Sequence, residues 1–224
     1  MLTSDTSLQL AYAERPDMLL RLAEFAASYA LQEKPALVVQ ASPEERTGDF
    51  DLTDDNRIAA LNRGTDRNIA WWGAFHSTQA VRPVFRGLAC LDARENPQWA
   101  FELHRDGTAI AGVWVFPESN RDSAALCLHD FYTGVFEDFV EKTLWLISDP
   151  AQPYRLTATL LQANHLHFAL GKSGWSRLLP PPRLTTLQWP LRFVSGSDTW
   201  HVAAASMNIE LFGAYGEYYR PGPG

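Results

Sequence analysis

The sequence predicts an α+β fold, and three observations lead to this prediction. In the first half of the chain, short apolar runs alternate with amphipathic helical segments. Near the middle, an Asp-Gly dipeptide joins two strand-like runs, and a further amphipathic helix with short strands follows. The chain has 224 residues, 46% of them hydrophobic, which is enough for one fused domain or two lobes. We expect lobes at 1–92 and 93–214 and a disordered tail at 215–224.

The first half begins with strand, helix and strand. Residues 7–12 alternate apolar and polar side chains, as in a short strand. A helix follows from Pro16, which suits a first turn, and one apolar stripe runs along it. The stripe consists of Met18, Leu19, Leu22, Phe25, Ala26 and Tyr29. Residues 36–41 are nearly all apolar, which is typical of a strand buried on both faces.

A second helix and a third strand complete this half. Thr53 is expected to cap the helix, and Asp54 and Asp55 lie favourably in its first turn. Gly64 is expected to end it. The apolar run at 84–91 predicts the third strand.

A β-hairpin is the clearest local prediction. Residues 99–105 and 108–116 read as strands, and Asp106-Gly107 between them favours a two-residue type I′ turn. In that register Leu103 opposes Ile110, and the tryptophan-rich face lies on the core.

The second face of the hairpin carries Glu102 and His104 opposite the small residues Ala111 and Ala109. We interpret this face as solvated, with the polar lip of a cleft as the alternative.

The rest of the chain predicts one helix, three strands and a last helix. The first helix covers 131–147, the strands cover 154–161, 166–170 and 187–193, and the last helix covers 203–215. Four charged residues are expected on the outer face of the first of these helices: Glu137, Asp138, Glu141 and Lys142.

Few residues suggest catalysis. His104, Glu102 and His165 are candidates for a hydrolase or nuclease site, and Cys127 beside His129 and Asp130 is an alternative nucleophile group.

No metal and no cofactor are expected. His165 and His167 would share a strand face, but the sequence holds no metal-binding or phosphate-binding motif that would complete a site.

Charge disfavours nucleic acid as a partner, because the chain carries a net charge of −7 and such binding depends on Lys and Arg. A local basic set remains open at Arg57, Arg63 and Arg67.

Tryptophans near predicted loops are candidate anchors for a protein partner or for self-association. These are Trp71, Trp72, Trp175 and Trp200.

The start of the sequence lacks the charged and apolar segments of a signal peptide, and no long apolar run is present. With only two cysteines, a disulfide framework is not expected either. We therefore expect a cytoplasmic protein with no membrane partner.

Several short stretches resemble bacterial proteins with a divergent Schlafen-type AlbA-like domain. They lie at 7–13 (SLQLAYA), 22–28 (LAEFAAS), 36–39 (ALVV) and 101–108 (FELHRDGT). The resemblance covers roughly residues 7–161 and implies an AlbA-like βαβαβ first half with a DNA-binding role. Ala11 and Ala13 replace the family's acidic residue and lysine, and residues 32–35 replace its Gly-Gly turn. No catalytic residue is therefore carried over.

These observations favour a non-catalytic interaction or regulatory protein, as a subunit of a bacterial host-defence or nucleic-acid-associated system. The alternatives are an AlbA-like nucleic-acid binder and a hydrolase or nuclease with a His/Glu site.

Overall fold

A computed structural model describes residues 6–45, 50–63, 75, 81–92, 95, 97–114, 125–147, 149–170 and 177–217. Its helices are α1 (Thr6–Ala11), α2 (Pro16–Ser28), α3 (Asp55–Asn62), α4 (His129–Leu146) and α5 (Ser197–Ala214). Its strands are β1 (Ala36–Pro43), β2 (Arg82–Val84), β3 (Gly87–Leu91), β4 (Trp99–His104), β5 (Ala109–Val113), β6 (Ala125–Leu128), β7 (Tyr154–Leu161), β8 (Leu166–Leu170), β9 (Arg177–Leu179), β10 (Leu187–Gln188) and β11 (Arg192–Val194). The predicted α+β class is confirmed.

Most strands belong to one antiparallel sheet. Its order is β10-β7-β1-β5-β4-β3-β2, with β11 also paired to β7, and a smaller sheet has the order β6-β8-β9. In the large sheet β1 lies between β5 and β7. Strands from both sides of the predicted boundary at residue 92 therefore belong to one sheet, and β1 from the first side lies between β5 and β7 from the second.

Both faces of the large sheet are covered. Along β1, Leu37 and Val39 belong to a core cluster shared with α4 and α5, whereas Val38 belongs to a second cluster shared with α1 and α2. Every residue of β1 is buried, which confirms the prediction of a strand covered on both faces.

The predicted strand at 7–12 is wrong, because this segment contributes helix α1. Leu8 and Tyr12 are buried and four residues apart, a spacing that helices and strands both place on one side. Leu10 distinguishes the two structures. In a strand it would lie on the same face as Leu8 and Tyr12, but it is 73% exposed, as a helix allows. The first half therefore runs α1-α2-β1-α3-β2-β3 and not βαβαβ.

Helix α2 begins at Pro16 as predicted and buries the expected stripe up to Ala26. Helix α3 is capped by Asp54 and not by Thr53, because the Asp54 carboxylate accepts a hydrogen bond from the Asn56 N–H at 2.9 Å. Gly64 lies outside the described residues.

The predicted strand at 84–91 is instead the hairpin β2–β3, which turns at Phe85 and Arg86. Gly87 starts β3 at a point of close approach, since a Cβ there would lie 2.0 Å from the Leu103 carbonyl oxygen.

The β4–β5 hairpin forms, but its predicted register is wrong by one residue. Leu103 pairs with Ala109, and Glu102 pairs with Ile110. The loop has three residues, 105–107, and Gly107 has φ +80°, as in a type I turn with a bulge. The shift exchanges the two faces of β5 relative to β4.

In the second half, β7 and β8 match the predicted strands, and 187–193 divides into β10 and β11 around Pro190. The last helix, α5, starts six residues before the predicted 203. Tyr215 is buried and its ring stacks on Phe168 at 4.9 Å, so the predicted tail at 215–224 is wrong at its start. Residues 218–224 lie outside the described residues.

Among the described helices, none combines the length and the apolar character needed to cross a membrane.

Candidate functional site

Strand β4 places Glu102 and His104 on the sheet face that α2 covers. Both residues are buried, with 7% and 4% of their surface exposed. His104 Nε2 lies 2.8 Å from Glu102 Oε2. The predicted solvated face is therefore wrong, and the alternative of a polar group at a cleft describes the arrangement.

Tyr29 completes the polar group from the end of α2. Its hydroxyl donates a hydrogen bond to Glu102 Oε1 at 2.7 Å, and its ring stacks on Trp114 at 5.2 Å. Burial raises the pKa of Tyr29 well above its usual range, and the nearby Glu102 carboxylate raises it further. Both oxygens of Glu102 thus have a hydrogen-bond partner.

His104 has one polar atom without a partner. When Glu102 is ionised it accepts the Nε2–H, so neutral His104 carries a lone pair on Nδ1. Nδ1 is buried and has no hydrogen-bond partner among the described groups. The ring therefore offers one acceptor that the fold does not use.

A cleft of about 430 Å³ opens at this group, and we call it the Glu102–His104 cleft. It lies between α2 and the β2–β3 hairpin. Its lining consists of Glu24, Phe25, Ala27, Ser28, Tyr29, Arg82, Val84, Phe85, Arg86, Glu102 and His104.

Charged and aromatic groups line the mouth of the cleft. Arg86 forms a bidentate ion pair with Glu24, with N···O distances of 3.0 and 2.9 Å. Arg82 is exposed. Burial and Glu102 raise the pKa of Tyr29, and the charge and hydrogen bonding of Arg82 offset only part of that rise. Phe85 is 94% exposed at the turn between β2 and β3.

Of the three catalytic candidates, the fold brings two together. His165 belongs to the 3-10 helix Ala163–His165, is exposed and does not line the cleft. His165 and His167 therefore do not share a strand as predicted. In the part of the chain that the structure describes, no three His, Cys, Asp or Glu residues could hold a metal ion. The side chains of Cys127, His129 and Asp130 lie outside the described set.

Two of the three candidate arginines for nucleic acid lie against aromatic rings. The guanidinium of Arg57 lies 4.6 Å from the centre of the Phe50 ring, and that of Arg63 lies 4.4 Å from the Trp145 ring. Arg67 lies outside the described residues. Nucleic-acid binding stays a prediction.

Trp200 is wrong as an interface anchor. It is fully buried in α5 and its ring centre lies 5.3 Å from that of Tyr154. Trp71, Trp72 and Trp175 lie outside the described residues.

Lys142, on α4, is another buried charged residue. The predicted solvated outer face is wrong here, because Lys142 and Asp138 are both fully buried. Lys142 Nζ donates to the Arg63 carbonyl at 2.6 Å. Burial lowers the pKa of Lys142 and raises that of the neighbouring Cys90 thiol to about 11.

Sequence reasoning missed most of the cleft lining, including Tyr29, Arg82 and Phe85. Tyr29 looked like the end of an apolar stripe, Phe85 lay inside the single strand predicted at 84–91, and Arg82 lay just before it. The i, i+2 spacing of Glu102 and His104 on a strand was the only available signal, and it correctly put both on one face.

Comparisons with protein-family models, with curated proteins and with solved structures found no match for this chain. The AlbA-like resemblance stays a prediction.

Proposed function

We propose that the protein is a non-catalytic regulatory protein that binds a small ligand in the Glu102–His104 cleft. The observation that carries this proposal is the buried Nδ1 of His104, which has no partner among the described groups. An unsatisfied buried polar atom costs about 1–3 kcal/mol. A ligand that donates a hydrogen bond to this atom recovers that free energy, so the site favours the bound state.

The shape and lining of the cleft support the same proposal. Its volume of about 430 Å³ falls within the range of small-molecule sites. Such sites combine apolar walls with a few placed polar groups. Here Phe25 and Val84 supply apolar wall, and the Glu102–His104 pair supplies the polar floor.

A ligand-observed NMR screen of a small-molecule library tests the proposal. Ala27 is an exposed helical residue that lines the cleft, so Ala27→Trp should fill it. Ala205→Trp is the matched control, because Ala205 is an exposed alanine on α5 and lies outside the cleft lining. We expect ligands whose binding is lost in Ala27→Trp and kept in Ala205→Trp. If no compound shows this difference, the cleft is not a ligand site.

Hydrolysis is the second candidate function, and the Glu102–His104 distance of 2.8 Å is the observation that favours it. A carboxylate that orients an imidazole leaves the other ring nitrogen able to act as a general base on water. The test is turnover of para-nitrophenyl esters and of bis(para-nitrophenyl) phosphate. Activity that His104→Gln abolishes without lowering Tm would replace the non-catalytic proposal.

A further inference from the structure

The first requirement on the ligand comes from His104. In the neutral tautomer of His104 that donates its Nε2–H to Glu102, Nδ1 presents a lone pair. The group that satisfies it must therefore be a hydroxyl or an N–H donor. A site built to pair a donor rejects analogues that lack one, since the buried acceptor then stays unpaired.

The second requirement comes from the charges of the cleft. Glu24 and Arg86 neutralise each other in a bidentate ion pair. Glu102 is engaged by hydrogen bonds from the Tyr29 hydroxyl and from His104. Arg82 is exposed on the lining and has no carboxylate partner among the described residues. An anionic group at the mouth would pair with it, and a planar carboxylate matches the guanidinium best.

The third requirement comes from the apolar wall. Phe85 is 94% exposed at the mouth, and Phe25 lines the inner wall beside Tyr29, with ring centres 4.7 Å apart. Aromatic rings pair favourably in offset or edge-to-face arrangements. A ring held between the carboxylate and the donor would contact these residues.

From these three requirements we infer that the ligand is an aromatic carboxylic acid that carries a hydroxyl or N–H donor. Its carboxylate pairs with Arg82 and its donor pairs with His104 Nδ1. This inference rests on the proposed function and names the ligand class of the same cleft.

Three probes separate the requirements. Phloretic acid has the aromatic ring, the carboxylate and the phenolic hydroxyl, hydrocinnamic acid lacks the hydroxyl, and para-propylphenol lacks the carboxylate. By isothermal titration calorimetry we expect phloretate to bind at least about tenfold more tightly than either analogue, which is the effect of one well-placed polar contact.

Two variants assign the contacts. Arg82→Gln should bind phloretate only as tightly as the wild-type protein binds para-propylphenol. His104→Gln keeps an N–H for Glu102 but has no acceptor at the place of Nδ1. It should therefore bind phloretate only as tightly as the wild-type protein binds hydrocinnamate. Arg183→Gln makes the same charge change at an exposed arginine outside the cleft lining and should leave the affinity unchanged.

The outcomes separate this inference from the proposed function. If library compounds bind and Ala27→Trp blocks them, but phloretate binds no more tightly than its analogues, the ligand class is wrong and the cleft remains a ligand site. The ligand class is also wrong if Arg82→Gln leaves phloretate binding unchanged. If no compound responds to Ala27→Trp, the proposed function fails and this inference fails with it.

Discussion

Tyr29→Phe measures how much the Tyr29–Glu102 hydrogen bond stabilises the fold. The substitution removes the hydroxyl that donates to Glu102 Oε1 at 2.7 Å, while the ring keeps its contacts with Phe25 and Trp114. Hydrogen bonds to charged groups contribute about 1.5–3 kcal/mol. We therefore expect the free energy of unfolding to fall by about 2 kcal/mol, and Tm to fall by roughly 4–8 °C for a chain of this size.

Urea unfolding followed by tryptophan fluorescence and circular dichroism gives this free energy, with an unchanged m value as the sign that the native fold persists. Tyr215→Phe is the control, since that buried hydroxyl donates to the neutral Leu166 carbonyl at 3.1 Å and should cost about 1 kcal/mol. A double-mutant cycle of Tyr29→Phe with Glu102→Gln should show a coupling of about 1 kcal/mol or more. A Tyr29→Phe cost no larger than that of Tyr215→Phe would refute the reasoning.

Two further predictions concern stability. Gly87→Ala places a Cβ 2.0 Å from the Leu103 carbonyl oxygen and should destabilise the protein by about 3 kcal/mol or more in the same urea assay. Its control, Gly213→Ala, meets open space in a helix and should stabilise by about 0.5 kcal/mol, so equal effects of the two would contradict the close approach of β3 and β4. Burial lowers the pKa of Lys142 in the folded state, so the unfolded chain holds this proton over a pH range in which the folded chain has lost it. The free energy of unfolding should therefore rise with pH from the lowered pKa up to the usual 10.5, and Lys142→Met should flatten this rise. The comparison needs a Cys90→Ala background. The raised pKa of the Cys90 thiol makes the free energy of unfolding fall with pH between its usual pKa of 9.0 and about 11. An unchanged slope in Lys142→Met would count against Lys142 as the source of the rise.

Sequence patterns predicted elements whose period was unambiguous. The stripe of α2 has a helical period and begins at a proline, and β1 is apolar on both faces. At residues 7–12 the pattern was ambiguous, because a spacing of four is close to one helical turn and is also an even number of strand positions. The polar first turn of α5 hid the start of that helix, so Trp200 was placed near a loop although it lies inside the helix and faces the core.

Burial of polar residues could not be predicted from local pattern. Lys142 has the spacing of a solvated helix face, yet it is fully buried and donates to the Arg63 carbonyl 79 positions earlier in the chain. Glu102 likewise receives its hydrogen bond from Tyr29, 73 positions away. Such partners become visible only once the elements are assembled.

The loop of the β4–β5 hairpin connects the sequence to the site. Gly107 adopts a left-handed conformation that closes a three-residue loop, and this loop sets the register in which Glu102 pairs with Ile110. In that register Ile110 and Trp114 lie with α2 in one apolar cluster, on the same side as the Glu102–Tyr29 hydrogen bond. With the two-residue turn, Glu102 would stand opposite Ala111 and beside small residues. The difference of one residue in loop length therefore decides that Ile110, and not Ala111, lies opposite Glu102 at the cleft.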